Sequence, residues 1–254
     1  NRYSNIFKKI DVKISLLIFA LIPLLIAFLI SVESNVITIG DSVFAGIEYA
    51  TVVLGLLKSL FVPYIFMCLF SSSLIAGEID EGVEAMYIAK IEKKERNILS
   101  KCISLISINF SNIIIIVISS SVGWLLFLKG SKYSTGNFFS SISDDNIIFV
   151  IYFILSILEL TFFALSFTLI SLFFNQGKSL IISFLLIIIS KLLINIDTIK
   201  QWIPTYLGDS VSVEMFNGRE LIIHGFQNSF VLLIYICILL FFIVFKYNKM
   251  DFSR

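Results

Sequence analysis

Six long apolar runs constrain the fold of this chain more than any other feature of its sequence. They cover residues 14–32, 52–76, 102–128, 147–174, 179–194 and 230–245. A membrane-spanning helix needs roughly 20 mostly apolar residues, because the hydrocarbon core is about 30 Å thick and a helix rises about 1.5 Å per residue. The runs lack the alternation of a β-barrel, so they predict an all-α polytopic membrane protein with six transmembrane helices.

The composition explains why a bilayer is needed. Hydrophobic residues make up 58% of the chain and charged residues 15%, whereas soluble domains are about half apolar and a quarter charged. The chain cannot cover its surface with polar groups, so lipid is an expected partner. A net charge of +1 argues against a nucleic-acid partner. The three cysteines are too scattered for a metal site, and we expect none.

The basic residues predict the orientation in the membrane. With the N-terminus in the cytoplasm, thirteen of the nineteen Lys and Arg residues lie on the inner side and five on the outer side, with Lys58 inside a span. Cytoplasmic loops carry an excess of Lys and Arg. We therefore expect both termini in the cytoplasm. The abundance of Ile, Phe, Asn and Lys is typical of an AT-rich bacterial genome and predicts a bacterial plasma membrane.

Two segments outside the spans also have ordered patterns. In residues 1–13, three apolar residues (Ile6, Phe7 and Ile10) share one helical face between lysines, which predicts a helix on the inner leaflet; a frayed basic tail is the alternative. Residues 197–229 are too apolar for a solvated loop. They predict an outer re-entrant hairpin of short helices before the last span, with Trp202 and Tyr206 at headgroup level.

One dense charged block, residues 77–101, stands between the second and third spans on the predicted cytoplasmic side. Treated as a helix, residues 79–90 place four apolar side chains on one side (Ile79, Val83, Met86 and Tyr87) and two carboxylates on the other (Glu81 and Glu84), with Asp80 at the edge. A topological anchor needs only basic residues, so this acidic face indicates a protein partner. A solvated connection is the alternative.

The order of residues in this block resembles the first cytoplasmic loop of ABC-2 type transporter permeases. That loop has an acidic residue, Gly, a small or β-branched residue, Glu, an apolar stretch, Pro, a basic residue and a later Lys that opens the third span. The matching positions here are Glu81, Gly82, Val83, Glu84, Met86, Lys93 and Lys101. The chain departs from the pattern at Lys90, where the family commonly has Pro. Six spans, the N-terminal helix, the short turn at residues 175–178 and the outer hairpin extend the resemblance to nearly the whole chain.

The resemblance implies a single ABC-2 transmembrane domain over residues 1–254, acting as the permease subunit of an ATP-driven exporter. It implies that the charged loop is a coupling helix seated in a groove of an ATP-binding subunit. The coupling residues would be Glu78, Asp80, Glu81, Gly82, Val83, Glu84, Met86, Tyr87 and Lys101. Two copies of that subunit and a second permease, identical or related, would be the partners. The compact length is similar to permeases of bacteriocin immunity and amphipathic-peptide export.

ATP is expected on the partner rather than on this chain. The segment Asn175–Ser179 reads NQGKS, but Leu172 stands where a phosphate-binding loop has its first Gly. We interpret this match as coincidence. The chain is therefore expected to be no enzyme and to bind no cofactor, with ATP and Mg on the ATP-binding subunit.

Two charged residues, Lys58 and Glu159, fall inside predicted spans. Charges at membrane depth are costly and usually face a bundle interior or a water-filled cavity. Three interpretations remain open: an intramembrane ion pair, a lining of the substrate path, and a Lys58 that reaches to the outer surface.

Two other classes of function compete with the exporter. An ion-driven secondary transporter or channel is typically built from inverted repeats or broken helices, and the sequence has no evident internal repeat. An intramembrane enzyme needs histidines at membrane depth, and the single histidine, His224, lies in the outer segment.

Overall fold

The computed structural model describes residues 10–32, 43–84 and 94–250. Within these ranges the chain is helical, and its β-type pairing is limited to one isolated bridge between Phe44 and Ser134. Six helices among the described residues are long and apolar enough to cross a membrane. The predicted helical class and the predicted number of spans are confirmed at this level.

The helices are numbered here in chain order. They are α1 (Ile10–Ser31), α2 (Gly46–Ser59), α3 (Val62–Ser71), α4 (Lys94–Gly123), α5 (Ser143–Ser171), α6 (Gln176–Leu193), α7 (Pro204–Leu207), α8 (Val211–Glu214) and α9 (Gly218–Asn248). A π-helical stretch, Ser72–Gly77, and one α-helical turn, Glu78–Asp80, extend α3, and a second π-helical stretch, Trp124–Leu128, extends α4.

The second predicted span, residues 52–76, is wrong as a single helix. The chain forms α2 and α3 instead, and the second candidate span is Val62–Asp80. Phe61 between them has a left-handed backbone, with φ of 62°, and Pro63 lies in the first turn of α3. Proline is tolerated in the first turn, but inside a continuous helix Pro63 would remove the hydrogen bond to the Ser59 carbonyl and its ring would clash with that carbonyl. The chain therefore ends one helix and begins another at this point, instead of continuing as one helix with a proline kink.

The last predicted span, residues 230–245, is too short. Helix α9 begins at Gly218, so the second part of the predicted outer segment belongs to the last helix. The first part contains short helices: the 3-10 turn Lys200–Trp202, α7 and α8. A re-entrant hairpin stays a prediction, and so does the location of these helices at a membrane boundary. The predicted helix in residues 1–13 lies outside the described residues except for its end, because α1 begins at Ile10.

Two compact units divide the chain. The first comprises Asn1–Leu60, Phe110–Ile154 and Asp209–Gly225. Within it, the Tyr49 hydroxyl of α2 donates a hydrogen bond to the Pro23 carbonyl of α1 at 2.7 Å. The Trp124 indole donates to the Phe44 carbonyl at 3.2 Å. These contacts join α2 to α1, and the residues before α2 to the π-helical end of α4.

The second unit comprises Phe61–Asn109, Leu155–Gly208 and Phe226–Arg254. Its helices meet through small polar residues as well as apolar ones. The Ser71 hydroxyl donates to the Ala164 carbonyl of α5 at 3.2 Å, and the Ser72 hydroxyl donates to the Gln176 carbonyl of α6 at 2.9 Å. Such small side chains allow helix backbones to approach closely. This unit contains the described part of the charged block.

Candidate functional site

The described start of the charged block, residues 77–84, forms a short segment that we call the coupling segment. It contains the helical turn Glu78–Asp80 and then a bend at Glu81 and Gly82. Gly82 has φ of 70°, a left-handed conformation that glycine adopts at helix ends without steric cost. The predicted continuous helix over residues 79–90 is therefore wrong at Gly82, where the first helix stops.

Beyond this bend, the Glu84 carboxylate turns into the second unit and meets the ammonium group of Lys101 on α4. The Lys101 Nζ lies 2.5 Å from Glu84 Oε2 and 3.0 Å from Glu78 Oε2, and it donates to the Leu74 carbonyl at 3.1 Å. Lys101 is 0% exposed and Glu84 1%. One ammonium group thus joins both ends of the coupling segment to α4.

The other carboxylate oxygen of Glu84 binds two neutral groups. The Asn97 side-chain amide donates to Glu84 Oε1 at 2.6 Å and to the Tyr247 hydroxyl oxygen at 2.7 Å. The Tyr247 hydroxyl in turn donates to Glu84 Oε1. Removing a charge from water costs several kcal/mol, which is offset only when the ion is paired and its remaining lone pairs are satisfied. Glu84 meets this requirement through three different residues.

A second attachment joins the coupling segment to α6. The backbone N–H of Gln176, in the first turn of α6, donates to Asp80 Oδ2 at 2.9 Å. Asn175 caps the same helix by accepting a bond from the Lys178 N–H at 3.2 Å. The first N–H groups of a helix lack partners within it and carry partial positive charge. A carboxylate at this place both satisfies an N–H group and lies favourably in the helix dipole.

An apolar cluster packs behind these polar contacts. Its buried members are Ile75, Ile98, Cys102, Leu165, Leu172, Ile236, Ile243 and Tyr247, and Ile79 of the coupling segment packs against it. Burial of such side chains contributes roughly 25 cal/mol per Å² of apolar surface. The position of Ile79 agrees with the predicted apolar side of the segment.

The structure brings together three of the predicted coupling residues, Glu78, Glu84 and Lys101. Asp80, which is exposed, binds the start of α6 instead. Two others, Glu81 and Gly82, are exposed, and Val83 is half-buried. Met86 and Tyr87 lie outside the described residues. The prediction that Glu84 shares an exposed face with Glu81 is wrong, because the turn at Gly82 redirects the chain and Lys101 compensates the buried charge.

Sequence reasoning missed three participants: Asn97, Tyr247 and Gln176. Asn97 and Lys101 are four residues apart on one helix and therefore share a face, so the charged block itself contained a signal for Asn97. Tyr247 lies 163 residues from its partner Glu84, and nothing local in the sequence marks it.

Lys58, the first of the two predicted membrane charges, lies in the first unit. It is in the last turn of α2 and 2% exposed. Its Nζ lies 4.7 Å from the centre of the Tyr152 ring on α5, a distance suited to a cation–π interaction. This burial does not agree with the interpretation in which the Lys58 side chain extends to the outer membrane surface.

Glu159, the second of these charges, lies in the second unit and is 0% exposed. The Tyr64 hydroxyl of α3 donates a hydrogen bond to its Oε1. Gly208 packs so closely that a Cβ atom there would overlap the Glu159 side chain. Lys58 and Glu159 belong to different units, and their pairing stays a prediction.

The described residues contain no cluster of three or more His, Cys, Asp or Glu side chains that could hold a metal ion. The groups gathered around Glu84 are donors and acceptors that satisfy one another. They attach the coupling segment to α4 and α9.

No family model, curated protein or solved structure significantly matches the chain. The class must therefore come from the fold itself. Six apolar helices of spanning length give the chain transmembrane character and are compatible with a multi-pass membrane protein.

Proposed function

We propose that the chain is the membrane-spanning permease subunit of an ATP-driven exporter of the ABC-2 type. The observation that carries this proposal is the attachment of the acidic coupling segment to α4, α6 and α9. Lys101 and Tyr247 bind the carboxylate of Glu84, and the Gln176 N–H binds that of Asp80. A solvated connection between two spans has no need of a buried ion pair.

The exposed part of the segment supplies a surface for a partner. Glu81 and Gly82 are exposed, while Asp80 before them accepts a hydrogen bond from α6 and Glu84 after them is buried. Charged residues at the rim of an interface fix register and select the partner. A displacement imposed at Glu81 would pass through a short, firmly attached segment into three helices, which is what a transport subunit driven by a separate ATPase requires.

The remaining parts of the proposal follow from the resemblance described above. Two ATP-binding subunits hold ATP and Mg and dock on the coupling segments of two permeases, identical or related. The complex lies in a bacterial plasma membrane with the permease termini in the cytoplasm. It exports an amphipathic or antimicrobial peptide or a similar hydrophobic compound.

A charge reversal at the exposed tip tests this proposal. Glu81→Lys should weaken attachment of the ATP-binding subunit or lower transport per ATP hydrolysed, while the isolated chain melts at the parent temperature. Glu214→Lys is the matched control, because Glu214 is also exposed but lies in α8. Equal assembly and equal transport in both variants would remove the coupling assignment. Glu84→Lys is unsuitable, because Glu84 is buried and its reversal would damage the fold.

An ion-driven carrier or channel is the second candidate, and one observation favours it. The chain breaks between α2 and α3 at Phe61, and discontinuous helices form the ion and substrate sites of many secondary transporters. Vesicles that contain the chain alone separate the two functions. An exporter subunit is silent under a proton or sodium gradient without ATP, whereas a carrier transports.

A further inference from the structure

Tyr247 connects the last membrane helix to the coupling segment. It lies in the final turn of α9, and its side chain is 0% exposed. The ring packs in the apolar cluster with Ile98 and Ile243, and the hydroxyl donates to Glu84 Oε1. The aromatic ring and the hydroxyl therefore have separate tasks, packing and attachment.

The contacts of Glu84 have two roles: one compensates its charge, and the others fix its orientation. Lys101 binds Oε2 and compensates the negative charge, whereas Asn97 and Tyr247 bind Oε1. Asn97 also donates to the Tyr247 hydroxyl oxygen. Glu84, Asn97 and Tyr247 therefore each contact the other two. A carboxylate held from several directions has one orientation, and the segment that carries it has one position.

Other contacts join α4 and α9 independently of Glu84. The Lys94 Nζ donates to the Met250 carbonyl at 2.8 Å, and the Asn248 amide donates to Glu95 Oε1 at 2.9 Å. Loss of the Tyr247 hydroxyl therefore leaves α4 and α9 joined. It removes the hydrogen bond between the coupling segment and α9 and keeps the apolar packing of Ile79 against the cluster.

From this arrangement we infer that Tyr247, with Asn97, is a positioning residue that transmits movement of the coupling segment to the last membrane helix. The inference rests on the proposed exporter function and deepens it. It assigns α9 a part in coupling that neither the charged block nor its resemblance to ABC-2 loops indicates. Without the hydroxyl, force at the segment would still reach α4 through the Lys101 ion pair, but α9 would lose its hydrogen bond to the segment and keep only apolar contact with it.

The test compares Tyr247→Phe with Tyr235→Phe in the assembled complex. Tyr235 is the matched control, because it lies on the same helix and its hydroxyl donates to the Trp202 carbonyl at 3.2 Å, away from Glu84. Transport of a fluorescent cationic amphipathic peptide is measured per ATP hydrolysed in vesicles. Tyr247→Phe should retain assembly and basal ATPase activity but lower this ratio by about fivefold, the effect of one hydrogen bond of ordinary net strength. Tyr235→Phe should match the parent.

A merely structural role would give a different pattern. It would lower the melting temperature of Tyr247→Phe and leave the ratio of transport to hydrolysis unchanged, which would overturn the inference. Asn97→Ser provides a second variant if Tyr247→Phe does not fold, and it should lower the same ratio while Lys101 still compensates Glu84.

Failure of the inference and failure of the proposed function are distinguishable. If the parent couples ATP hydrolysis to transport and Tyr247→Phe does so equally well, the exporter function stands and the positioning role is wrong. If the parent neither assembles with an ATP-binding subunit nor transports with ATP, the proposed function is wrong and the inference falls with it.

Discussion

Two buried glutamates of the second unit, Glu84 and Glu159, have the same chemistry but different surroundings. Each accepts a hydrogen bond from a tyrosine hydroxyl on another helix, Tyr247 and Tyr64 respectively. Glu84 comes from a block dense in charge, and Glu159 comes from the middle of an apolar helix. Sequence hydropathy marked only Glu159 as a buried charge, yet both are buried equally well.

The difference teaches that local composition locates a charge in the chain but does not show which way its side chain faces. A hydrophilic block predicts exposure on average, and Glu81 follows that expectation. Glu84 departs from it because a turn at Gly82 and a lysine on α4 supply an interior site.

Loss of the Lys101 ammonium group should have the largest effect. Lys101→Met leaves the carboxylate of Glu84 buried without its cation, and removal of one partner of a buried ion pair costs about 3–5 kcal/mol. The free energy of unfolding of the isolated chain in detergent would measure this loss. Lys178→Met is the control, because Lys178 is exposed, and surface changes usually stay within about 0.5 kcal/mol. Similar values for the two variants would mean that the buried network contributes little.

The two membrane charges come next. If Lys58 and Glu159 pair, Lys58→Met and Glu159→Gln should each lower the free energy of unfolding by several kcal/mol, because each leaves an uncompensated charge. The double variant should recover much of that loss, as expected for interacting sites. Small additive losses with altered substrate-stimulated ATPase activity would favour the substrate path instead.

A methyl group at Gly208 tests the packing around Glu159. Gly208→Ala places a Cβ against the Glu159 side chain, and such overpacking typically costs about 1–3 kcal/mol. Gly177→Ala is the control, because no atom lies within 4 Å of a Cβ at that position of α6. Equal thermal stability of the two variants would show that the protein relaxes freely around Glu159.

The smallest effect is expected at Asp197, an exposed carboxylate outside the candidate spans. Its hydrogen bond to Lys200, at 2.7 Å, and the attraction of that ammonium group lower the Asp197 pKa from 3.8. A lowered folded-state pKa contributes stability above the unfolded-state value, and that contribution is lost as the pH falls through the folded-state value. Because Asp197 is exposed and solvent screens the pair, Asp197→Asn should leave the melting temperature at neutral pH unchanged. A clear decrease would mean that the Asp197–Lys200 pair stabilises the fold despite its exposure.

The number of spans could be predicted because hydrophobicity over a window of helical length depends little on tertiary detail. The break at Phe61 could not, since a left-handed conformation of a non-glycine residue persists only when surrounding packing enforces it. Pro63 marked the place but not the outcome. The early start of α9 at Gly218 was missed because its first turns are polar.

The candidate site was predicted in part for a similar reason. The residue types of the charged block indicated attachment to a partner and included Glu78, Asp80, Glu84 and Lys101. The orientation of Glu84 and the participation of Tyr247 depend on contacts between distant parts of the chain, which periodicity within the block does not contain.

In the proposed function, the chain moves its substrate with energy from a separate ATP-binding subunit. Transport of a fluorescent cationic amphipathic peptide in vesicles tests this directly, with the chain alone and with the ATP-binding subunit that co-purifies with it. The account predicts ATP-dependent export by the complex, and neither ATP hydrolysis nor gradient-driven transport by the chain alone. ATP hydrolysis by the isolated chain, or transport driven by an ion gradient without ATP, would contradict it.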